Sequence, residues 1–142
     1  MSARHDHMRA RHQAHPPGAV VTTAEVAARF TLVAIIGSRD FSNPRLLAQV
    51  MEEYRDGLRL VISGGADGAD RMGARWARKH GIQTRIFEPD HKRYRHAYHH
   101  RNRLIVEAAE LVVAFWNGHS TGTAYTIEYA RRMGKAVRVV RF

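Results

Sequence analysis

The stretch "WNGHSTGTAYTIE" at 116–128 follows an apolar run, "LVVAF", and leads into a helical pattern. Glycines let a backbone come close to an anion, and small hydroxyls add donors. The unpaired N–H groups and positive dipole end of a following helix complete such a cradle. Gly118, Ser120, Thr121, Gly122 and Thr123 are therefore candidate phosphate-binding residues, and no carboxylate stands between Trp116 and Thr123 to oppose an anion. The same residues also fit a plain turn in which Ser120 or Thr121 caps the helix.

Two further stretches share this character. "GSRDFSN" at 37–43 offers Gly37, Ser38 and Arg39, with Arg39 either facing phosphate or pairing with Asp40. "SGGADGAD" at 63–70 offers Gly64 and Gly65, but Asp67 and Asp70 would repel a nearby phosphate. Asp67 reads as a helix N-cap with Asp70 at N3; alternatively Asp70 accepts from ribose hydroxyls. Neither glycine set ends in Gly-Lys-Ser/Thr, which argues against P-loop hydrolysis of ATP.

A third kind of segment, "HKRYRHAYHHRNR" at 91–103, holds five Lys/Arg, four His, two Tyr and no acid. It reads as an anion-attracting lip, in which the planar fork of Arg101, followed by Asn102, suits a bidentate phosphate clamp. Its tyrosines suit stacking on bases. His96 and His100 would share a helix face, but no acidic third ligand is near, and no metal or other cofactor is expected.

These residues need a scaffold, and the chain supplies a regular alternation from residue 31. "TLVAIIG", "LRLVISGG", "TRIFEP", "LVVAFW" and "AVRVVRF" read as strands. Between them, Pro44 opens a helix with an inward stripe of Leu46, Leu47, Val50, Met51 and Tyr54. "GADRMGARWARKHG" makes a second helix closed by Gly81, "AYHHRNRLIVEAAE" a third with Leu104, Ile105 and Ala108 inward, and "TAYTIEYARRMG" a fourth. Five strands alternating with four helices predict an α/β domain over 31–142. Its parallel, Rossmann-like sheet has the expected order 3-2-1-4-5 with helices on both faces. The small-residue loops after strands 1, 2 and 4 then converge at the carboxyl ends, where such sheets bind ligands.

Residues 1–21, rich in His and Arg around "HPPG", are expected to be a flexible basic arm, and 22–30 a short helix or linker begun by a Thr22–Glu25 capping box. The 142 residues contain no cysteine and carry a net charge of +10. Residues 1–30 hold four Arg against Asp6 and Glu25, so +8 remains in the body. That balance favours polyanionic partners. No secretory or membrane-spanning pattern is evident, and cytoplasmic localisation is the expectation.

"GSRDF", "SGGADGADRMGARWA", "PD" with the later Arg101–Asn102, and "AFWNGHSTGTAYTIEYA" together resemble the YspA-like branch of the SLOG superfamily, over about residues 32–142. The resemblance implies a Rossmann-like fold, a nucleotide or nucleotide-derived ligand, and self-association into a homo-oligomer. The superfamily includes the Lonely guy phosphoribohydrolases, which cleave the base from nucleotide monophosphates. Against their Gly-Gly-x-Gly-Thr-x-x-Glu motif, Gly122 and Thr123 match Gly-Thr, and Arg101 resembles the Arg of their other catalytic segment. The Glu position holds Thr126; Glu128 lies about 200° further round the helix.

Three functional expectations result. The leading one is a receptor-like domain binding a nucleotide-derived small molecule. The second is an N-glycosidic hydrolase with Glu128 or Asp70 as acid/base, and the third a nucleic-acid-binding module using residues 91–103.

Overall fold

A computed structural model describes residues 22–142; the expected basic arm at 1–21 lies outside the described residues. Thr22 caps a five-residue helix, α1 (Thr23–Ala27), and Glu25 returns the bond, so the predicted capping box is present. The apolar run then enters β1 (Leu32–Gly37), and Pro44 sits at the first turn of α2 (Pro44–Glu52), capped by Asn43. β2 (Leu60–Ser63), α3 (Ala69–Lys79), β3 (Gln83–Ile86), α4 (Ala97–Ala108), β4 (Leu111–Trp116), α5 (Thr121–Arg132) and β5 (Ala136–Arg141) follow.

All strand pairs are parallel, in the order β3-β2-β1-β4-β5. The predicted Rossmann-like architecture is what the chain adopts. Each central strand sends alternate side chains to opposite faces. Val33 and Ile35 of β1 join Leu47, Met51 and Trp76 beneath α2 and α3. Ala34 and Ile36 join Ile105, Val106 and Ile127 beneath α4 and α5. Burying a side chain of this size is worth about 1.5–3 kcal/mol, so both layers contribute heavily. α4 departs from its expected stripe: Ile105 and Val106 are buried, while Leu104 is only half-buried.

One carboxylate ties the amino end of β1 to the turn before β4. Glu110 Oε1 accepts from the Thr31 N–H at 2.8 Å, the Thr31 hydroxyl at 3.0 Å and the Leu32 N–H at 3.0 Å. This clamp sets the register in which Val33 pairs with Leu111 and Gly37 with Phe115. Their carboxyl ends therefore finish level. Among the described residues, no helix is long and apolar enough to cross a membrane.

Candidate functional site

β1 and β4 leave the sheet side by side, and their chains then diverge, to α2 on one face and α5 on the other. The split between them is a cleft of about 510 Å³. Its two loops are laced together. The Ser38 N–H donates to the Phe115 carbonyl at 2.9 Å, and the Asn117 N–H donates to Ser38 Oγ at 3.2 Å. Asn117 Nδ2 donates to both oxygens of Asp40 at 3.1 and 3.2 Å. Its Oδ1 accepts from the His119 and Ser120 N–H groups at 2.7 and 2.8 Å. A single amide thus folds the β4–α5 turn on itself and pins it to the β1–α2 loop. Because Asn117 holds Asp40, the expected alternative of an Arg39–Asp40 pair is not formed; no ion pair of Arg39 occurs among the described residues.

The wall of the cleft is the first turn of α5. Ser120 is the N-cap: its Oγ accepts from the Thr123 N–H at 3.4 Å and lies 3.0 Å from Thr123 Oγ1. The N–H groups of Thr121 and Gly122 have no acceptor within the described chain, and both residues are exposed on the cleft lining. The cap bond therefore leaves two N–H groups facing the cleft. Behind this turn, the Thr126 hydroxyl donates to the Gly122 carbonyl at 2.9 Å, so Thr126 supports the turn from the buried side.

The floor is built from charges that share one backbone residue. Asp70 is 5% exposed and Arg101 6% exposed. The Gly64 N–H donates to Asp70 Oδ2 at 3.0 Å, while Arg101 Nη1 donates to the Gly64 carbonyl at 2.7 Å. Arg101 Nε donates to Asn102 Oδ1 at 2.8 Å. A Cβ on Gly64 would lie 2.7 Å from Arg101 Nη1 and 2.8 Å from Asp70 Oδ2, so only glycine fits between them. Burial pushes the Asp70 carboxyl up to about 6, with the Gly64 N–H and the Arg101 charge pulling the other way. Burial also lowers Arg101, opposed by Asp70, and a guanidinium remains a cation in such settings.

Tyr98 stands at the rim, 47% exposed. The guanidiniums of Arg39 and Arg101 each lie 5.7 Å from its ring centroid. Beyond this ridge a shallower cleft of about 260 Å³ is lined by Gly64, Gly65, Asp67, Arg71 and Glu88.

The predicted residues divide accordingly. Gly37, Ser38, Arg39, Asp70, Arg101, Asn102, Ser120, Thr121, Gly122 and Thr123 line the main cleft, and Gly64 and Gly65 line the neighbouring one. Gly118 lines neither. It adopts φ +86° and backs onto Arg141, so its role is the turn. Glu128 lies exposed on α5 away from the cleft, and among the described residues it forms no ion pair with Arg131 or Arg132, three and four positions on. The N-cap of α3 is Gly68, not Asp67. Asp67 instead pairs with Arg71 at 3.0 Å, and Asp70 is the second helical residue rather than N3. His96 and His100 face different rings, His99 and Tyr94, and no metal-holding cluster of three His or acidic groups occurs among the described residues. Sequence reasoning missed Asn117 and His99 on the lining, whereas Tyr98 is one of the tyrosines expected to stack on bases. The Asn-Gly turn pair at 117–118 was the available signal for the first.

Residues 31–94 match the model of the YspA, cpYpsA-related SLOG family, so the resemblance read from the sequence holds over that segment. No curated protein matches the chain in sequence. DNA processing protein A from Streptococcus pneumoniae superposes with TM-score 0.66 at 20% identity, over 81% of this chain and 52% of its own. The chain thus spans about half of that protein. A solved structure named TM1055 gives TM-score 0.60 at 22% identity, covering 75% and 72%. DNA processing protein A from Helicobacter pylori, described for its single-stranded DNA binding mode, gives 0.61 at 16%, covering 80% and 67%. These three structures share the fold with this chain.

Proposed function

We propose that the main cleft binds the phosphate of a nucleotide or nucleotide-derived small molecule, and that the protein acts as a receptor for it. The observation that carries this reading is the pair of unpartnered N–H groups at Thr121 and Gly122, at the positive end of a twelve-residue helix. Gly122 adds to it. Its φ is ordinary and a Cβ there would meet nothing within 4 Å. Glycine in a helix is about 1 kcal/mol worse than alanine, and the fold gives no steric reason for it. A ligand pressed against the helix end does. Arg101 supplies the positive field from the floor, and Tyr98 a ring face at the rim for a base. The family match over 31–94 supports the ligand class.

Titrating nucleoside monophosphates and dinucleotides such as NAD while following thermal unfolding tests the reading. A ligand at a hundred times its Kd adds about 2.7 kcal/mol to stability, so a clear rise in Tm is expected from at least one of them. No rise from any, at millimolar concentration, refutes it.

The hydrolase reading narrows to Asp70. A cleft carboxyl near 6 is poised to hold or give up a proton close to neutrality. Incubation with nucleoside monophosphates and chromatography for free base tests this, and release that survives Asp70→Asn excludes Asp70 as the acid/base.

A further inference from the structure

Four rings stand nearly parallel along the face where α4 meets α5. His96 and His99 are 6.1 Å apart with planes at 24°, His99 and Tyr125 4.2 Å at 13°, and Tyr125 and Tyr129 6.4 Å at 8°. His99 also lines the mouth of the cleft. Tyr125 and Tyr129 are one turn apart, so the row climbs α5 away from its N-terminus.

Tyr129 packs against the core beneath, while the other three rings of the row lie outside that packing. None of the four residues is buried, and the layer beneath is filled by Ile105, Ile127 and Ala130. Both phenols are nonetheless held from α4. Arg103 Nη1 donates to the Tyr125 oxygen at 3.0 Å, and the Tyr129 O–H donates to Glu107 Oε2 at 2.7 Å. Tethered rings lose little freedom when a flat group stacks on them. The surroundings are cationic: the Arg132 guanidinium lies 5.8 Å from the Tyr129 ring centroid, and residues 91–103 carry five Lys/Arg without an acid.

Fixed parallel ring faces, partly open and flanked by guanidiniums, match the chemistry of unpaired bases on a charged backbone. A duplex hides its base faces and offers the row only phosphates. We infer that the α4–α5 face is a docking surface for single-stranded nucleic acid, whose bases stack on His99, Tyr125 and Tyr129. This surface goes beyond the phosphate cleft and does not depend on it. Among the described residues, Glu107 is the one acid hydrogen-bonded to the row, so it opposes the strand at the Tyr129 end.

The test is fluorescence anisotropy of the full chain with a labelled oligothymidylate of about eight nucleotides and a duplex of the same length. The single strand should bind at least about tenfold tighter than the duplex. Tyr129→Ala and the exposed His99→Ala should each weaken it by about tenfold, and Glu107→Gln should strengthen it. Tyr125→Phe, which keeps the ring, should leave it nearly unchanged. Equal affinity for the duplex, or indifference to both alanine variants with melting curves intact, overturns the inference. Gly122→Asp separates the two readings. It should abolish nucleotide binding in the cleft while sparing the oligonucleotide to within a few-fold. Loss of the oligonucleotide with Gly122→Asp alone would put the strand in the cleft and overturn the stacking surface.

Discussion

At the scale of single residues, a glycine of the β4–α5 turn and one of the first turn of α5 call for opposite outcomes. Gly122→Ala adds a methyl in open space on a helix, so stability should hold or rise by up to about 1 kcal/mol. The same methyl would stand where the ligand presses, and nucleotide affinity should fall by about tenfold or more. Gly118→Ala demands φ +86° of a residue with a Cβ and crowds Arg141. It should cost about 1–3 kcal/mol. Chemical denaturation paired with calorimetric titration separates the two effects. Asp70 makes a pH prediction. Its carboxyl rises from 3.8 to about 6 on folding, so between those values the folded protein holds a proton that the unfolded chain releases. Its contribution to stability therefore falls as pH rises through about 4 to 6, by on the order of 3 kcal/mol. Urea melts across that window should show the fall in wild type relative to Asp70→Asn. Phosphate affinity should follow the same direction, since the neutral acid removes a negative charge from the cleft floor.

At the scale of elements, the α5 turn and the β1 loop act as one unit because Asn117 bonds to both. Asn117→Ala removes the acceptor for two N–H groups and the donor to Asp40. A loss of about 1–2 kcal/mol is expected, with nucleotide affinity reduced more than that of Ser120→Ala, which loses only a cap worth about 1 kcal/mol. Titration of both variants beside wild type checks the ranking. The strands and helices themselves were legible from the chain: an apolar run closed by Gly37, a strand stopped by Pro89, a helix closed by Gly81 and one opened by Asn43–Pro44 announce their limits locally. Glu110 was not, since it acts on partners 78 and 79 residues away and no neighbouring pattern records it, and the Asn-Gly pair marks Asn117 as a turn residue without recording its hold on Asp40, 77 residues away. Arg101 lies deeper than the lip its segment suggests: Ala97 and Ile105, four positions to either side, mark the buried stripe on which it sits.

At the scale of the whole molecule, the order β3-β2-β1-β4-β5 places the two most buried strands, β1 and β4, at the centre. Amide exchange should be slowest there, faster in the half-exposed edge strand β3, and fastest in the five-residue α1, whose buried face is little more than Ala27. The candidate site sits where the slow centre meets its loops, so the donors of the proposed cradle are already in place. Candidate loops were visible in sequence because clusters of small residues stand at the carboxyl ends of the strands, while the opposite turns hold single glycines such as Gly57, Gly81 and Gly134. Which of their polar groups are spent on the fold, as with Gly118 and Asp67, depended on contacts that only the assembled sheet creates. The floor carries one further consequence. Asp70 and Arg101 grip opposite ends of the same glycine, so neither can be exchanged alone without stranding its counterpart in the interior. Single replacements should each cost stability that the paired replacement partly restores, and a thermodynamic cycle of the single and paired substitutions should show strong non-additivity.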